Sequence, residues 1–154
     1  MTENTLINSA LKKAMALCAG REYCSEDIRA KLNSWGINNP DADDIISKLI
    51  RDNFINDKRY IEAFVKDKYH HNKWGKVKIA AHLRAKKIGA EYVESALAML
   101  DENEYRQMIR DILASHRKFI KAKNQFELKG KLLRFGLSKG FESHILYDIL
   151  NDLE

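Results

Sequence analysis

The chain has 154 residues, of which 45% are hydrophobic and 32% are charged, and its formal net charge is +5. This composition is typical of a folded, helix-rich protein and excludes a disordered chain. One proline and seven glycines leave few turn signals for a strand-rich fold. The positive charge permits an anionic partner but does not identify one.

The two cysteines argue against a metal site and for a reducing compartment. Cys18 and Cys24 lie six residues apart without a second pair, which is not the spacing of metal ligands. We predict no metal and no cofactor. The short apolar run at residues 14–19 continues an amphipathic helix rather than forming an export signal, and no apolar stretch reaches the length of a membrane span. We therefore expect a cytoplasmic protein with no membrane partner.

The first part of the chain predicts three helices. Apolar residues at helical spacing indicate a first helix from Leu6 to Cys18. Ser25 is predicted to cap the second helix, because serine accepts hydrogen bonds from the free N–H groups of a first turn. Gly36 is predicted to follow this helix in the left-handed conformation. Asn39, which precedes a proline, is predicted to open the third helix.

Residues 49–65 contain a helix end, a short joint and a new helix start. Asn56 is predicted to cap the new helix through its side-chain oxygen. Ile55 stands one position before this cap and Tyr60 four positions after it, which is the spacing of a hydrophobic staple. The joint therefore sets where the new helix begins and the angle at which the chain enters it.

The three-helix pattern occurs three times. Two sets of apolar residues recur at intervals of 51 to 53 residues, and these sets are Ile28, Ile79 and Leu132, and Ile37, Ile88 and Phe141. A unit of about 50 residues buries only a thin core alone, whereas stacked repeats cover the faces that each leaves open. We predict an all-α fold of three tandem three-helix repeats, helix-turn-helix-like, in an elongated, curved array. The repeats are placed at residues 1–53, 54–101 and 102–154.

Lys87 departs from this pattern. Gly36 and Gly140 hold the left-handed position in the first and third repeats, but Lys87 holds it in the second, with Gly89 two residues later. A left-handed lysine costs on the order of 1 kcal/mol. Either the second repeat accepts this strain, or its middle helix ends differently and uses Gly89.

Three motifs follow one another along the chain. The first is Arg21-Glu22-Tyr23-Cys24-Ser25, followed by Ile28 and Leu32. The second is Phe54-Ile55-Asn56-Asp57-Lys58-Arg59-Tyr60, followed by Phe64-Val65 and a helix with Gly75, Ile79 and Leu83. The third is Gly140-Phe141, followed by Ile145. From about Leu11 to Leu153 the chain thus resembles the RecX family, regulators of the RecA recombinase, except that Lys87 stands where those proteins usually have glycine.

Basic residues are concentrated in the second repeat. Residues 1–52 carry seven Lys or Arg against eight Asp or Glu, whereas residues 53–101 carry ten against six. The basic stripe, as we name it, consists of Lys66, Lys68, Lys73, Lys76, Lys78, Arg84, Lys86 and Lys87. The second basic cluster consists of Arg117, Lys118, Lys121 and Lys123. Such residues either remain solvated or bind phosphates or an acidic groove, and we predict that both sets bind a partner.

The sequence contains no arrangement typical of catalysis. His70 and His71 are adjacent, so on a helix they point about 100° apart and cannot face one metal ion. Asp57 lies at a helix start, where the helix dipole accounts for a carboxylate. No nucleophile elbow or glycine-rich phosphate loop is present. Trp35 and Trp74 are interpreted as packing residues. We therefore predict no catalytic residues and a protein that is not an enzyme.

The resemblance to RecX implies a function. It implies a monomeric regulator that lies in the groove of a RecA–single-stranded-DNA filament and inhibits filament growth, ATP hydrolysis, strand exchange and coprotease activity. Such a protein would act in homologous recombination, DNA repair and the SOS response. Direct contact with single-stranded DNA is left open. The alternative is a DNA-binding protein that uses its repeats as helix-turn-helix modules, although no helix start carries the Arg, Asn and Gln cluster that reads base edges.

Overall fold

The structure, a computed structural model, describes residues 2–153, with side chains from Asn4 onwards. The described residues form nine α-helices and no strand, which confirms the all-α prediction. The helices are α1 (Thr2–Gly20), α2 (Ser25–Ser34), α3 (Asn39–Arg51), α4 (Asp57–His70), α5 (Lys76–Ala85), α6 (Ala90–Ala98), α7 (Glu102–Arg117), α8 (Gln125–Ser138) and α9 (Ser143–Asn151). The first helix is longer at both ends than predicted, because no proline or glycine interrupts it before Gly20.

The chain folds into two compact units. Unit 1 contains Met1–Phe64 and Lys86–Ile88, and unit 2 contains Val65–Ala85 and Gly89–Glu154. The helix α4 therefore begins in unit 1 and ends in unit 2. The division into three repeats at residues 1–53, 54–101 and 102–154 stays a prediction.

In unit 1, α1, α2 and α3 pack around one hydrophobic core. The buried residues of this core are Ala10, Ala14, Ile28, Leu32, Ile37, Ala42, Ile45, Ile46, Leu49 and Ile55. Trp35 is partly buried against them, which agrees with its interpretation as a packing residue. Helical spacing also predicts that Ile50 is buried on α3 beside Ile46 and Leu49, but Ile50 is 51% exposed, so this part of the prediction is wrong.

Two helix caps lie one residue before their predicted positions. Cys24 precedes α2 instead of Ser25, and the Asp27 carboxylate accepts a hydrogen bond from the Cys24 N–H at 3.4 Å. Asn38 caps α3 instead of Asn39, since its side-chain oxygen accepts from a first-turn N–H at 3.0 Å. Both capping positions have extended backbone. Cys24 and Asn38 are each followed by a residue that also suits a capping position. The extended backbone, which a helix cap requires, decides which of the two residues is the cap.

The predicted left-handed positions are confirmed. Gly36 has φ 88° and Gly140 has φ 90°, and Lys87 has φ 60°, so the second repeat accepts the strain. After α2, the Ile37 N–H donates to the Leu32 carbonyl oxygen at 3.0 Å, which closes the helix end. The six residues of the two recurring apolar sets are at most 8% exposed. The recurring pattern therefore marks equivalent buried positions.

The joint before α4 has the predicted cap and an additional arginine contact. The Asn56 side-chain oxygen accepts from the Arg59 N–H at 3.1 Å, and Ile55 and Tyr60 are both buried. The Arg59 guanidinium pairs with Glu22 at 2.7 Å and donates to two carbonyl oxygens of the joint. Arg59 thereby ties the joint to the turn between α1 and α2.

In unit 2, the start of α5 is held by main-chain groups from the turn after α8. The Gly75 N–H donates to the Lys139 carbonyl oxygen at 2.7 Å, and the Val77 N–H donates to the Gly140 carbonyl oxygen at 3.0 Å. These bonds satisfy donors that a helix start leaves without partners in its own helix. A Cβ atom at residue 75 would overlap the Gly140 carbonyl group, so glycine alone permits this approach.

Tyr105 completes the same contact from α7. Its side chain is fully buried, and its hydroxyl accepts from the Lys76 N–H at 2.9 Å and donates to the Glu142 carboxylate. Burial is the main cause that raises the pKa of this phenol, which therefore stays protonated. Because Glu142 precedes α9, one hydroxyl group connects α5, α7 and the start of α9.

We expect Lys87→Gly to stabilise the protein by up to about 1 kcal/mol, because glycine adopts a left-handed φ without steric cost. The exposed pair of Lys87 with Glu26, at 3.7 Å, contributes little. The control is Lys66→Gly, at an exposed position inside α4, which should destabilise by about 1 kcal/mol. Urea unfolding followed by circular dichroism measures both changes. A Lys87→Gly protein that is less stable than the wild type would contradict this expectation.

Gly75→Ala should destabilise the protein by about 1–3 kcal/mol, because its methyl group must displace the backbone at Gly140. The matched control is Gly130→Ala within α8. There a Cβ atom meets only the Arg134 side chain at 3.7 Å, and alanine should stabilise the helix by up to about 1 kcal/mol. Thermal unfolding of both variants tests the pair. Equal stability of Gly75→Ala and wild type would mean that the contact is not close-packed.

Candidate partner-binding surface

The basic stripe is divided between the two units. Lys86 and Lys87 belong to unit 1, and the other six members belong to unit 2. The Lys86 ammonium pairs with Asp27 at 2.5 Å, and the Lys87 ammonium pairs with Glu26 at 3.7 Å. The hydrogen bond to Asp27 is the main cause that raises the pKa of Lys86. These two lysines therefore balance the acidic start of α2.

Lys76 also has partners within its own unit. Its ammonium group pairs with Glu102 at 3.2 Å and lies 4.7 Å from the centre of the Tyr105 ring. Its side chain is 19% exposed. Hydrogen bonds to the Glu102 carboxylate, first from Arg106 and then from Lys76, lower the pKa of Glu102. The position of Lys76 is thus explained by its contacts with α7.

Trp74 is the centre of a cation cluster in unit 2. The ammonium groups of Lys68 and Lys78 lie 5.1 Å and 4.6 Å from the centre of its ring, within the range of cation–π attraction. The His82 ring lies 4.6 Å from the Trp74 ring. Trp74 is partly buried, so it packs, as predicted, and also orients two lysines.

A lysine from a distant part of the chain joins this cluster. The Lys139 ammonium group donates to the Asn72 carbonyl oxygen at 3.3 Å. Next to Asn72, Lys73 is exposed and left-handed, with φ 57°. We name this site the Trp74 surface, and it consists of Lys68, Lys73, Trp74, Lys78 and Lys139.

The part of the chain that carries most of the Trp74 surface contains few acidic groups. Asp67 is the one acid in residues 66–87, and it pairs with Lys68 at 3.6 Å and with His71 at 3.1 Å. Lys66 and Arg84 are exposed. Among the residues whose side chains the structure describes, neither of them is in an ion pair. Unit 2 thus presents cations whose charge is available to a partner.

The second basic cluster lies around the end of α7. Arg117 is the last residue of α7, and the other three members lie in the segment between α7 and α8. All four are exposed. The segment is held to α8 by the Lys131 ammonium group, which donates to the Lys121 carbonyl oxygen at 2.6 Å. This cluster is therefore a surface feature on an anchored segment.

These surfaces can bind anionic groups and orient them between cations and aromatic rings. Within residues 4–153, no three or more His, Cys, Asp or Glu side chains converge as metal ligands. Across the described part of the chain, no helix combines the length and apolar character needed to cross a membrane. The interaction that these surfaces support is electrostatic attraction between their cations and an anionic group.

Sequence reasoning missed Lys139 and His82 as members of the cluster around Trp74. His82 is eight residues from Trp74, and its position beside the indole ring depends on the orientation of α5 relative to Trp74. Lys139 is brought to Asn72 because the turn after α8 docks on the start of α5. Gly75 and Gly140 are compatible with a close approach of two backbones, but no spacing in the sequence pairs them.

Comparison with known proteins agrees with the motifs. The family model of the second three-helix domain of RecX matches residues 56–97. Regulatory protein RecX of Clostridium beijerinckii is 30% identical over 127 residues, which are 81% of this chain and 59% of that protein. The chain therefore spans about three fifths of the length of that relative. Regulatory protein RecX of Amycolatopsis mediterranei is 23% identical over 92% of this chain and 83% of its own length.

The fold also matches solved structures. The crystal structure of RecX from Lactobacillus salivarius aligns with a TM-score of 0.82 at 23% identity, over 97% of both chains. A second crystal structure, of a regulatory protein RecX, aligns with a TM-score of 0.85 at 20% identity, over 96% of this chain and 72% of that one. At this identity the likeness supports the fold.

Lys86→Met should destabilise the protein by about 1–3 kcal/mol, because it leaves Asp27, which is 12% exposed, without its cation. The control is Lys66→Met at an exposed site, with an expected change within about 0.5 kcal/mol. Since the folded-state pKa of Lys86 is raised, the stabilisation is complete below about pH 10 and is lost as the pH rises through that pKa. Urea unfolding measures both variants. Equal stability of Lys86→Met and wild type would assign Lys86 to the solvated surface.

Proposed function

Because the chain belongs to the RecX family, we propose that it regulates a RecA recombinase by binding the filament that RecA forms on single-stranded DNA. Bound there, it inhibits filament growth, ATP hydrolysis, strand exchange and coprotease activity. It does so without catalysing a reaction of its own. The partner of the Trp74 surface is then an acidic or phosphate-bearing part of the filament.

The observation that carries this proposal is the Trp74 surface. Two of its lysines are held over the Trp74 ring at 4.6 Å and 5.1 Å, which limits the side-chain freedom that they lose on binding. Because both ammonium groups lie over the Trp74 ring, the surface offers oriented positive charge. Oriented cations raise the rate at which an anionic partner is captured.

Only some residues of the basic stripe can bind a partner without first losing an ion pair within the protein. Lys76, Lys86 and Lys87 have carboxylate partners within their own units. The remaining members of the stripe are Lys66, Lys73, Lys78 and Arg84, and Lys139 adds to them, whereas Lys68 pairs with Asp67 at 3.6 Å. A partner that carries negative charge meets these residues without first displacing a partly buried ion pair.

Direct binding of duplex DNA is the competing function. Its signature is tight binding to naked duplex in the absence of RecA, with a steep loss of affinity as salt rises. A filament regulator instead binds RecA filaments better than naked duplex. Sedimentation of the protein with each of the two separates these functions.

The test reverses the available charge while sparing the ion pairs that support the fold. Lys73, Lys78 and Lys139, three lysines of the Trp74 surface, are changed together to glutamate. Association with RecA filaments should slow by about 10-fold or more, with a weaker dependence on salt. Correspondingly more protein should be needed to suppress RecA-dependent ATP hydrolysis. Stopped-flow binding and hydrolysis assays measure both effects.

The matched control reverses three exposed lysines of unit 1, at Lys12, Lys48 and Lys58. It changes the net charge of the protein by the same amount, so only the position of the change differs. This variant should suppress hydrolysis as the wild type does. A folded unit 2 variant that still acts at the wild-type concentration would remove the Trp74 surface from the interface.

A further inference from the structure

Two phenylalanines, one within the second basic cluster and one three residues after it, are almost completely exposed. Phe119 is 83% exposed and Phe126 is 89% exposed. Between Arg117 and Phe126 the sequence contains four cations and no acid. Exposed aromatic rings offer faces on which a flat group can stack, and their positively charged surroundings favour an anionic partner.

None of the four cations is neutralised within the protein. Across residues 4–153, whose side chains the structure describes, no ion pair involves the side chains of Arg117, Lys118, Lys121 or Lys123. The nearest acid in sequence after Phe126 is Glu127, which pairs with Lys131 at 3.1 Å. The segment therefore combines unpaired positive charge with two exposed rings.

A groove of about 350 Å³ lies beside Phe119. Its walls include the His116 and Phe135 rings, which stack in parallel with their centres 3.6 Å apart. Asp111 and Ser115 also line the groove, and they supply polar groups that can bond the edge of a flat, polar ligand. Planar rings next to carboxylate and hydroxyl groups match the faces and edges of a nucleobase.

We propose that residues 117–126, together with the groove beside Phe119, bind a single strand of nucleic acid. Bases stack on Phe119 and Phe126, and the four cations of the second basic cluster contact the phosphates. A duplex does not fit this use of the rings, because its base faces are already stacked within the helix. This inference does not depend on the proposed action on RecA.

Two other partner classes fit less well. Lysine is depleted at protein–protein interfaces, whereas three of the four cations are lysines. An anionic membrane surface would attract the cations and the rings, but it presents no planar polar groups that could enter the adjoining groove. A single strand of nucleic acid can contact all three features, because its phosphates pair with the cations and its bases fit the rings and the groove.

The experiment measures fluorescence anisotropy of a labelled oligothymidylate of about 16 nucleotides, with the full chain and without RecA. Phe119→Ala combined with Phe126→Ala should weaken binding at least about 30-fold and leave the salt dependence unchanged. Lys118, Lys121 and Lys123 changed together to glutamine should reduce the slope of log affinity against log salt by about 2. Stacking and charge are thereby read out separately.

The aromatic control is Tyr92→Ala combined with Tyr147→Ala, which removes two rings of unit 2 that are 65% and 53% exposed. It should bind the oligonucleotide as the wild type does. The phenylalanine variant should keep the wild-type thermal midpoint and its affinity for duplex, because its lost rings are solvent-exposed and do not reach paired bases.

Three outcomes would overturn the inference. The first is a wild-type chain that does not bind the oligonucleotide at low salt. The second is a phenylalanine variant that binds it as tightly as the wild type. The third is a phenylalanine variant that loses binding only to vesicles containing phosphatidylserine, which would assign the segment to a membrane. Because the assay contains no RecA, a failure here is distinct from a failure of the proposed regulatory function.

Discussion

The start of α5 shows how unit 2 is held together. A helix start exposes N–H groups that need acceptors, and here two acceptors are the carbonyl oxygens of Lys139 and Gly140 and a third is the buried Tyr105 hydroxyl. The left-handed Gly140 aims its carbonyl at α5, and Gly75 lets the two backbones meet. This docking connects α5 with α7, α8 and the start of α9, and it places the turn that carries Trp74.

Lysines that look alike in the sequence have different surroundings in the structure. Lys76 lies at the docked helix start, where Glu102 and Tyr105 surround its side chain. Lys86 reaches a carboxylate in unit 1 that is largely removed from water, and such a pair is costly to break. Lys66 and Arg84 remain in solvent. The availability of a carboxylate partner, rather than the residue type, decides which cations are left for binding.

The two proposed binding surfaces of unit 2 are linked along α7. A groove of about 390 Å³ contains Lys73 of the Trp74 surface and shares Asp111 and Ile112 with the groove beside Phe119. A nucleoprotein filament presents both the phosphates of its nucleic acid and the surface of the protein that coats it. A unit that offers oriented cations at one end of α7 and exposed rings at the other suits such a composite partner.

The sequence by itself determined the helices, the buried residues of the two recurring apolar sets and the left-handed ends at Gly36 and Gly140, because these follow from periodicity and from local backbone sterics. It also carried the three motifs of the RecX family. The tertiary structure decided that Lys86 pairs with Asp27 and that Lys139 lies beside Asn72. These contacts join residues whose separation along the chain has no period, and they form only when packed helices bring a donor to an acceptor.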